Sequence, residues 1–167
     1  MIIWSIISVL VIILLIIGWR LSWLATRVDR ANARTESTWA ALDAALVRRA
    51  QRAAELCAAP GIDPASALLV SDAAAAALDP DLSHDDRERA ESDLSRVLEA
   101  VAPAMSEIAV ESERASLSRR LHNDAVSTAR VLHRRRSVRT FRLAGHAGEP
   151  QPFEMADQRQ LPWLREA

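Results

Sequence analysis

The sequence lacks most of the residues on which disulfide-rich and β-rich proteins depend. Cys57 is the only cysteine, so an internal disulfide is excluded, which agrees with a reducing compartment. Lysine is absent, and an all-arginine basic set with abundant alanine is typical of a G+C-rich bacterial genome. There is no tyrosine, and there are only two phenylalanines and four glycines. Long stretches of Ala, Leu, Glu and Arg fill the chain instead, and this composition predicts an all-α protein.

Charge is missing from the first stretch of the chain. Residues 1–19 contain no charged side chain. At 1.5 Å per residue they form about 28 Å of helix, close to the thickness of a bilayer's hydrocarbon core. Trp4 lies near one end, and Trp19 and Trp23 lie near the other, where tryptophan rings meet lipid headgroups. The sequence therefore predicts a transmembrane anchor over residues 1–25, with these three tryptophans as membrane-anchor residues.

The flanks of this span predict its orientation. A cleaved signal peptide needs a basic start, a shorter apolar core and small residues at a cleavage site, and this stretch has none of these features. Four arginines follow the span: Arg20, Arg27, Arg30 and Arg34. By the positive-inside rule we expect an uncleaved signal anchor in a bacterial plasma membrane, with the N-terminus outside and the remaining chain in the cytoplasm.

Apolar periodicity and capping residues predict four helices. The first runs without a break over residues 2–59, and its apolar seam is Trp39, Leu42, Leu46, Ala50 and Ala53. Asp63 is the expected N-cap of a helix over residues 64–78, and Ser83 is that of a third helix. The core-facing stripe of the third helix is Leu94, Val97, Leu98 and Val101. The last helix is expected over residues 104–139, with Leu117, Leu121, Ala125, Thr128 and Leu132 on its apolar face.

The helix lengths predict an architecture. Short loops make sequential helices antiparallel, so the last helix returns to the membrane beside the first. We therefore expect residues 26–142 to form a cytoplasmic antiparallel helical bundle with long first and last helices and a short central hairpin. In that bundle Leu121 would face Leu42 or Leu46. Glycine and proline recur after the last helix, so residues 143–167 are expected to be an extended C-terminal tail that adds little to the core.

Four landmarks in the chain resemble the LemA family of bacterial membrane-anchored proteins. In residues 37–50, STWAALD is followed two residues later by LVRRA, and residues 119–126 read RRLHNDAV. Residues 143–145 (LAG) and 150–154 (PQPFE) are similar to that family's closing segment. The chain departs from the family between residues 56 and 108. The resemblance implies a single span, a cytoplasmic antiparallel helical bundle, no established catalytic activity and a suspected scaffold role in membrane assemblies.

Residue patterns for catalysis or metal binding are missing. The four histidines form no i, i+4 pair, and His84 and His133 are expected to be solvated. No phosphate-binding glycine loop, nucleophile elbow or H-E-x-x-H motif occurs, and Cys57 has the surroundings of a small packed side chain. We therefore expect no catalytic residue, no metal, no cofactor and no small-molecule substrate. Two interpretations of Asn123 and Asp124 remain open: they bridge to arginines of the first helix, or they are exposed to water.

Arginine is concentrated near the end of the last helix. Residues 114–142 carry nine arginines and one acid, Asp124. Nucleic-acid binding would need several stacking aromatic rings, and Phe141 stands alone. Because the expected topology brings this segment to the inner leaflet, anionic lipid headgroups are the better partner. A helix C-terminus that simply favours cations is compatible with the same residues. The expected lipid-facing residues are Arg130, Arg134, Arg135, Arg136, Arg139 and Arg142.

Together these features predict a non-catalytic accessory or scaffold subunit of a larger bacterial membrane complex, for which a respiratory assembly is one candidate. One alternative is a membrane-organising protein that binds anionic lipid through the arginine cluster, and another is an unrecognised enzyme. The tail carries apolar side chains that could bind a partner protein. These candidate partner-binding residues are Phe153, Met155, Leu161, Trp163 and Leu164.

Overall fold

The regular secondary structure of the described chain is helical. A computed structural model describes residues 2–58, 61–101, 106–135, 138 and 149–156. Its helices are α1 (Ile2–Cys57), α2 (Pro64–Ala77), α3 (His84–Ala100) and α4 (Ala109–His133), with a 3-10 turn at Ser106–Ile108 just before α4. Within those residues there is no β-strand, so the prediction of an all-α fold is confirmed.

Helix α1 is continuous from its apolar start to Cys57, as its sequence predicts. Its N-terminal part is long and apolar enough to cross a membrane, and the most apolar 18-residue stretch has a mean hydropathy of 2.4 with none of it buried. The side chains there point outward on all sides of the helix. The rest of the described chain therefore does not bury the apolar N-terminal part of α1.

The starts of α2 and α3 are fixed by the two predicted caps. The carboxylate of Asp63 accepts a hydrogen bond from the backbone N–H of Ser66 at 3.0 Å, and Pro64 opens the helix. Ser83 Oγ accepts from the backbone N–H of Asp86 at 3.2 Å, and donates to the Asp86 carboxylate at 2.6 Å. Each cap satisfies N–H groups that a helix start leaves without a partner.

The described contacts divide the chain into two units. The first comprises Met1–Glu36 and Ala125–Gln151, and the second comprises Ser37–Asp124 and Pro152–Ala167. Both long helices, α1 and α4, therefore contribute residues to each unit.

The second unit has one apolar cluster where the end of α1 meets α2 and α3. Its fully buried alanines, at Ala50, Ala53, Ala74 and Ala77, allow the helices to approach closely. Larger side chains complete it: Leu56, Val70, Leu94, Leu98 and Ile108. The predicted stripe of α3 is thus confirmed at this cluster, together with the part of the predicted α1 seam formed by Ala50 and Ala53.

A second apolar cluster of the same unit joins α1, α4 and the segment after α4. Leu42, Ala45 and Leu46 of α1 are fully buried there with Ala115 of α4. Further along α1, Arg52 pairs with Glu107 at 2.7 Å. Residues nearer the C-terminal end of α1 therefore contact residues nearer the N-terminal end of the Glu107–Ala115 segment.

In the first unit, α1 and the chain around the end of α4 are also in contact. Leu24 and Val28 of α1 are buried with Val138. The imidazole Nε2 of His133 lies 3.0 Å from the carboxamide oxygen of Asn32. His133 is therefore half-buried and paired, and the expectation that it is solvated is wrong.

The predicted apolar face of α4 is correct at Ala125 and Leu132, which are 2% and 4% exposed, and wrong in the first half of the helix. Leu117 and Leu121 are 55% and 50% exposed, and neither faces Leu42 or Leu46. The buried side chains in this stretch are Ala115, Arg119 and His122, at the same helical spacing on a neighbouring face. Contacts of His122 with Trp39 and Thr38 of α1, and of Asn123 with the tail, favour burial of this polar face over the apolar one. The helix also ends at His133, earlier than the predicted residue 139.

Candidate functional site

Three sets of residues were predicted to act: the tryptophans of the span, the arginine cluster and the tail. Trp4 is 76% exposed and Trp19 is 71% exposed, at opposite ends of the apolar part of α1. Trp23 is also exposed, and the Arg27 guanidinium lies 5.5 Å from the centroid of its ring. All three rings are thus more than half exposed within the described chain, as interfacial side chains would be.

Two arginines of the cluster, Arg130 and Arg134, contact the segment that follows it. Arg130 Nε donates to the carbonyl of Pro150 at 2.7 Å and lies 3.5 Å from the Glu149 carboxylate. Arg134 also lies 3.5 Å from Glu149, and both Arg134 and Arg135 are exposed. Part of the positive charge is therefore balanced within the chain. Arg136, Arg139 and Arg142 lie outside the described residues.

The tail was expected to offer its apolar side chains to another protein. Phe153 is instead completely buried, and Met155 is 9% exposed, both in the cluster formed by α1 and α4. The expectation that the tail adds little to the core is wrong for these two residues, because their side chains fill the space between the helices. In this conformation the two side chains pack in the chain's own core and are not exposed to another protein. Leu161, Trp163 and Leu164 lie outside the described residues.

Residues 152–156, here called the docked segment, have an extended pattern of burial. Phe153 and Met155 point inward, whereas Glu154 and Ala156 are exposed, as alternate residues of an extended chain are. The segment has no regular secondary structure, so its backbone groups need other partners.

Side chains of α3 and α4 provide those partners. The carboxamide of Asn123 donates to the carbonyl of Phe153 at 3.0 Å and accepts from its N–H at 2.9 Å. Glu88 accepts from the N–H of Glu154 at 2.6 Å, and Ser92 accepts from that of Ala156 at 3.0 Å. The docked segment is thus held in the manner of an extended peptide in a receptor, through its main chain.

The Phe153 ring lies in an aromatic pocket. Its centroid is 5.7 Å from the Trp39 ring and 5.6 Å from the His84 ring, the latter edge-on. The His84 Nε2 is also 3.1 Å from the carbonyl of Pro152, so this histidine contacts the segment twice. On the other side His122 lies 5.4 Å from Trp39. The expectation that His84 is solvated is therefore wrong. The tail groove, as we call it, is formed by Trp39, His84, Glu88, Ser92 and Asn123.

Sequence reasoning missed a buried ion pair between α1 and α3. Arg49 and Glu91 are both completely buried, and Arg49 Nη2 lies 2.6 Å from Glu91 Oε2. Arg49 Nη1 donates to Ser95 Oγ at 3.0 Å, and Arg87 Nε lies 3.5 Å from Glu91 Oε1. Arg87 in turn pairs with Asp43 at 3.0 Å. These bonds connect α1 to α3, and Arg49 therefore does not bridge to Asn123 or Asp124 as one interpretation proposed.

The sequence held a signal for part of this site. Asn123 interrupts the apolar periodicity of α4, and a Pro-Phe-Glu-Met run alternates apolar and polar residues. Either feature could have indicated an extended segment held by a polar clamp. Nothing in the spacing of Arg49 and Glu91 indicates a pair, because they lie on different helices.

The described residues offer little for metal or thiol chemistry. Among them no three His, Cys, Asp or Glu side chains come together as metal ligands. Cys57 lies at the end of α1, where its thiol contacts the carbonyl of Ala53 at 3.2 Å. Partial burial raises the pKa of this thiol, so that it is less nucleophilic than a solvated cysteine at neutral pH.

Comparisons with protein-family models, with curated proteins and with solved structures found no match to this chain.

Proposed function

We propose that this protein is a non-catalytic, single-pass membrane protein that serves as an accessory or scaffold subunit of a larger bacterial membrane complex. The observation that carries the proposal is the contrast along α1. Its N-terminal part is apolar and exposed on all sides, whereas its later part contributes to buried clusters. An exposed apolar surface of this length is unfavourable in water and favourable in a bilayer.

The orientation is proposed from charge. Four arginines follow the apolar stretch closely, which favours a cytoplasmic domain and an external N-terminus. Below the span, the reversed contacts between α1 and the α4 region support an antiparallel bundle with α2 and α3 as its short hairpin. This is also the arrangement that the resemblance to the LemA family implies.

Membrane insertion is tested by placing charge inside the span. Val11→Arg together with Leu14→Arg should remove the protein from the carbonate-resistant membrane fraction, because each arginine at a span's centre costs about 2.5–3.5 kcal/mol. The matched control is Leu68→Arg with Leu69→Arg, at two leucines of α2 that are 71% and 60% exposed. The control should remain in the membrane fraction. Loss of both variants, or retention of both, would contradict the assignment of the span.

Orientation is tested with a single exposed thiol. In a Cys57→Ala background, Ala75→Cys introduces a cysteine on the exposed side of α2. A membrane-impermeant maleimide should label it only after the cells are permeabilised. Labelling in intact cells at the permeabilised rate would place the domain outside and overturn the proposed topology.

The scaffold role is tested by purifying the full chain in mild detergent and identifying co-purifying proteins by mass spectrometry. A membrane protein recovered in a fixed ratio, and lost with the Val11→Arg, Leu14→Arg variant, would support it. Recovery of the chain without a reproducible membrane protein would contradict the role, while leaving the anchor test unaffected.

A further inference from the structure

The four arginines that follow the apolar part of α1 share one face of the helix. Positions 20, 27 and 34 are seven residues apart, and positions 23 and 30 each follow one of them by three. On a helix that turns about 100° per residue, these five positions fall within roughly 80° of arc. All five side chains are exposed. They are called the basic stripe here: Arg20, Trp23, Arg27, Arg30 and Arg34.

The two acids of the same stretch lie on a different face. Asp29 and Glu36 are about 140–160° around the helix from the middle of the basic stripe, and neither has an arginine three or four residues away. In α3 and α4, by contrast, three acids pair with the arginine three residues later: Asp86 with Arg89, Asp93 with Arg96 and Glu111 with Arg114. Like charges a turn apart destabilise a helix, so this segregation of charge in α1 is not favoured by the helix itself.

The basic stripe also takes no part in the packing of this stretch of α1. The packed face is a neighbouring one, where Leu24 and Val28 are buried with Val138. The Arg27 guanidinium lies 5.5 Å from the centroid of the Trp23 ring, on the exposed side. Within the part of the chain that the structure describes, three arginines of the stripe form no ion pair: Arg20, Arg27 and Arg30. Their charge is therefore available to a partner outside the chain.

Topology and lipid each account for only part of this pattern. The positive-inside rule concerns the number of arginines near a span, and does not require that they share a face. Anionic headgroups form a layer about 5–8 Å deep on each side of a bilayer, and the Debye length is about 8 Å. At about 1.5 Å per residue, Arg30 lies about 15 Å and Arg34 about 21 Å beyond Arg20 along α1. With α1 near the membrane normal, headgroups reach the first half of the stripe and not the second.

We propose that the basic stripe is the docking surface for an acidic helix of a partner membrane protein, which continues from that protein's own span and runs beside α1. The inference rests on the scaffold role proposed above and specifies the chemistry of the partner. Carboxylates spaced three and four residues apart on such a helix face the arginines along the full length of the stripe, and each guanidinium can bind two carboxylate oxygens. Thr26 and Ala33, which are exposed beside the stripe, are small enough for the second helix to approach closely.

The first test uses a defined probe, a fluorescent synthetic helix that carries glutamates at the spacing of the basic stripe. Its binding to the full chain in phosphatidylcholine nanodiscs is measured by fluorescence anisotropy. A peptide of the same composition, with its glutamates spread around the helix, should bind several-fold more weakly. Arg30→Gln with Arg34→Gln should weaken binding of the first peptide several-fold. The matched control is Arg89→Gln with Arg96→Gln, an equal change of charge at two exposed arginines of α3, and it should leave binding unchanged. Equal binding of the two peptides, or equal effects of the two double variants, would overturn the proposal.

The same measurement in nanodiscs that contain phosphatidylglycerol separates a protein partner from lipid. The anionic surface repels the peptide and lowers its binding to every chain, so the ratio between chains is the quantity to compare. Docking of an acidic helix predicts that Arg30→Gln with Arg34→Gln still weakens binding several-fold relative to the unchanged chain. Disappearance of that ratio would make anionic lipid the occupant of the whole stripe and overturn the proposal.

A test in cells connects the stripe to the complex. The photoreactive residue p-benzoylphenylalanine replaces Ala33, and the crosslinked segment of the co-purifying membrane protein is identified by mass spectrometry. That segment should be rich in Asp and Glu and adjoin a span. The product should fall several-fold with Arg30→Gln and Arg34→Gln, but not with Arg89→Gln and Arg96→Gln. Thiol labelling at Ala75→Cys checks that these variants keep their orientation.

The outcomes distinguish the stripe from the scaffold role. A protein that co-purifies in a fixed ratio, but crosslinks through a segment without acids or ignores the change at Arg30 and Arg34, would overturn the inference and leave the scaffold role intact. Recovery of the chain without any such protein would count against the scaffold role. The nanodisc measurements need no cellular partner, so they decide the charge recognition of the stripe in either case.

Discussion

Arg49 and Glu91 form a fully buried ion pair, with 2.6 Å between Nη2 of the guanidinium and Oε2 of the carboxylate. The pair connects the C-terminal part of α1 to α3. Both charges are buried, so each needs a countercharge inside the protein. Removal of Glu91 takes away the carboxylate that compensates Arg49, whereas removal of Arg49 leaves Glu91 with Arg87 alone, at 3.5 Å.

This pair gives the first prediction. Glu91→Gln should lower the free energy of unfolding by about 3–5 kcal/mol, because it leaves the buried Arg49 guanidinium without its countercharge. Arg49→Gln should also lower it, because Glu91 then keeps only Arg87, whose Nε lies 3.5 Å from Oε1. Urea denaturation in detergent, followed by circular dichroism, measures the change. The double variant Arg49→Met, Glu91→Leu should recover most of the loss. The matched control is Arg52→Gln, one turn away on α1, where the partners Glu55 and Glu107 are exposed and the effect should be much smaller. Equal losses at Arg49 and Arg52 would contradict the importance of burial.

The second prediction concerns the tail as part of the core. Phe153→Ala should lower the free energy of unfolding by about 3–5 kcal/mol, as expected for a buried ring replaced by a cavity. Glu154→Ala, at the neighbouring exposed position, keeps the backbone N–H that Glu88 accepts and should change stability by about 0.5 kcal/mol or less. Unfolding in urea distinguishes them. Similar stability of the two variants would mean that the segment does not contribute to the core.

The third prediction tests the face of α4. Leu121→Asp should be tolerated to within about 0.5 kcal/mol, since the leucine is 50% exposed. Leu46→Asp, at a fully buried position of α1, should cost several kcal/mol because it buries a carboxylate without a partner. Thermal unfolding compares the two. A large loss at Leu121 would restore the face that apolar periodicity predicts.

The fourth prediction follows from the raised pKa of Cys57. Iodoacetamide reacts with the thiolate, so the rate should reach half its maximum at a higher pH for Cys57 than for an exposed thiol. The reference is the Cys57→Ala, Ala75→Cys chain. Comparing midpoints of the pH profiles, rather than rates, separates the pKa from steric access. Coincident midpoints would show that burial does not act on this thiol.

The lipid-binding alternative gives a fifth prediction. In a fragment that begins at Arg20, changing Arg134, Arg135 and Arg136 to Gln should weaken binding to vesicles containing phosphatidylglycerol. Each cation near an anionic surface contributes about 1 kcal/mol, and the difference should shrink as salt is raised. The control uses neutral vesicles, to which the unchanged fragment and the triple variant should bind equally. Unchanged binding to anionic vesicles would leave these residues as a helix end that favours cations.

The sequence alone determined what depends on neighbours in the chain. The uncharged start of α1, the caps at Asp63 and Ser83, and the apolar stripe of α3 were predictable, because helix formation and capping involve residues within a turn of each other. The helical fold class followed from the same local preferences.

Only the tertiary structure decided which face of α4 is buried and where the tail goes. The periodicity of α4 allows Leu121 or His122 to face inward, and contacts of His122 with Trp39 and Thr38 favour the second. Asn123 forms a hydrogen bond with the backbone of Phe153, thirty residues later, and Arg49 forms an ion pair with Glu91 on another helix. Such choices depend on which polar groups can satisfy each other once water is excluded, and a pattern within one segment holds no information about a partner in another.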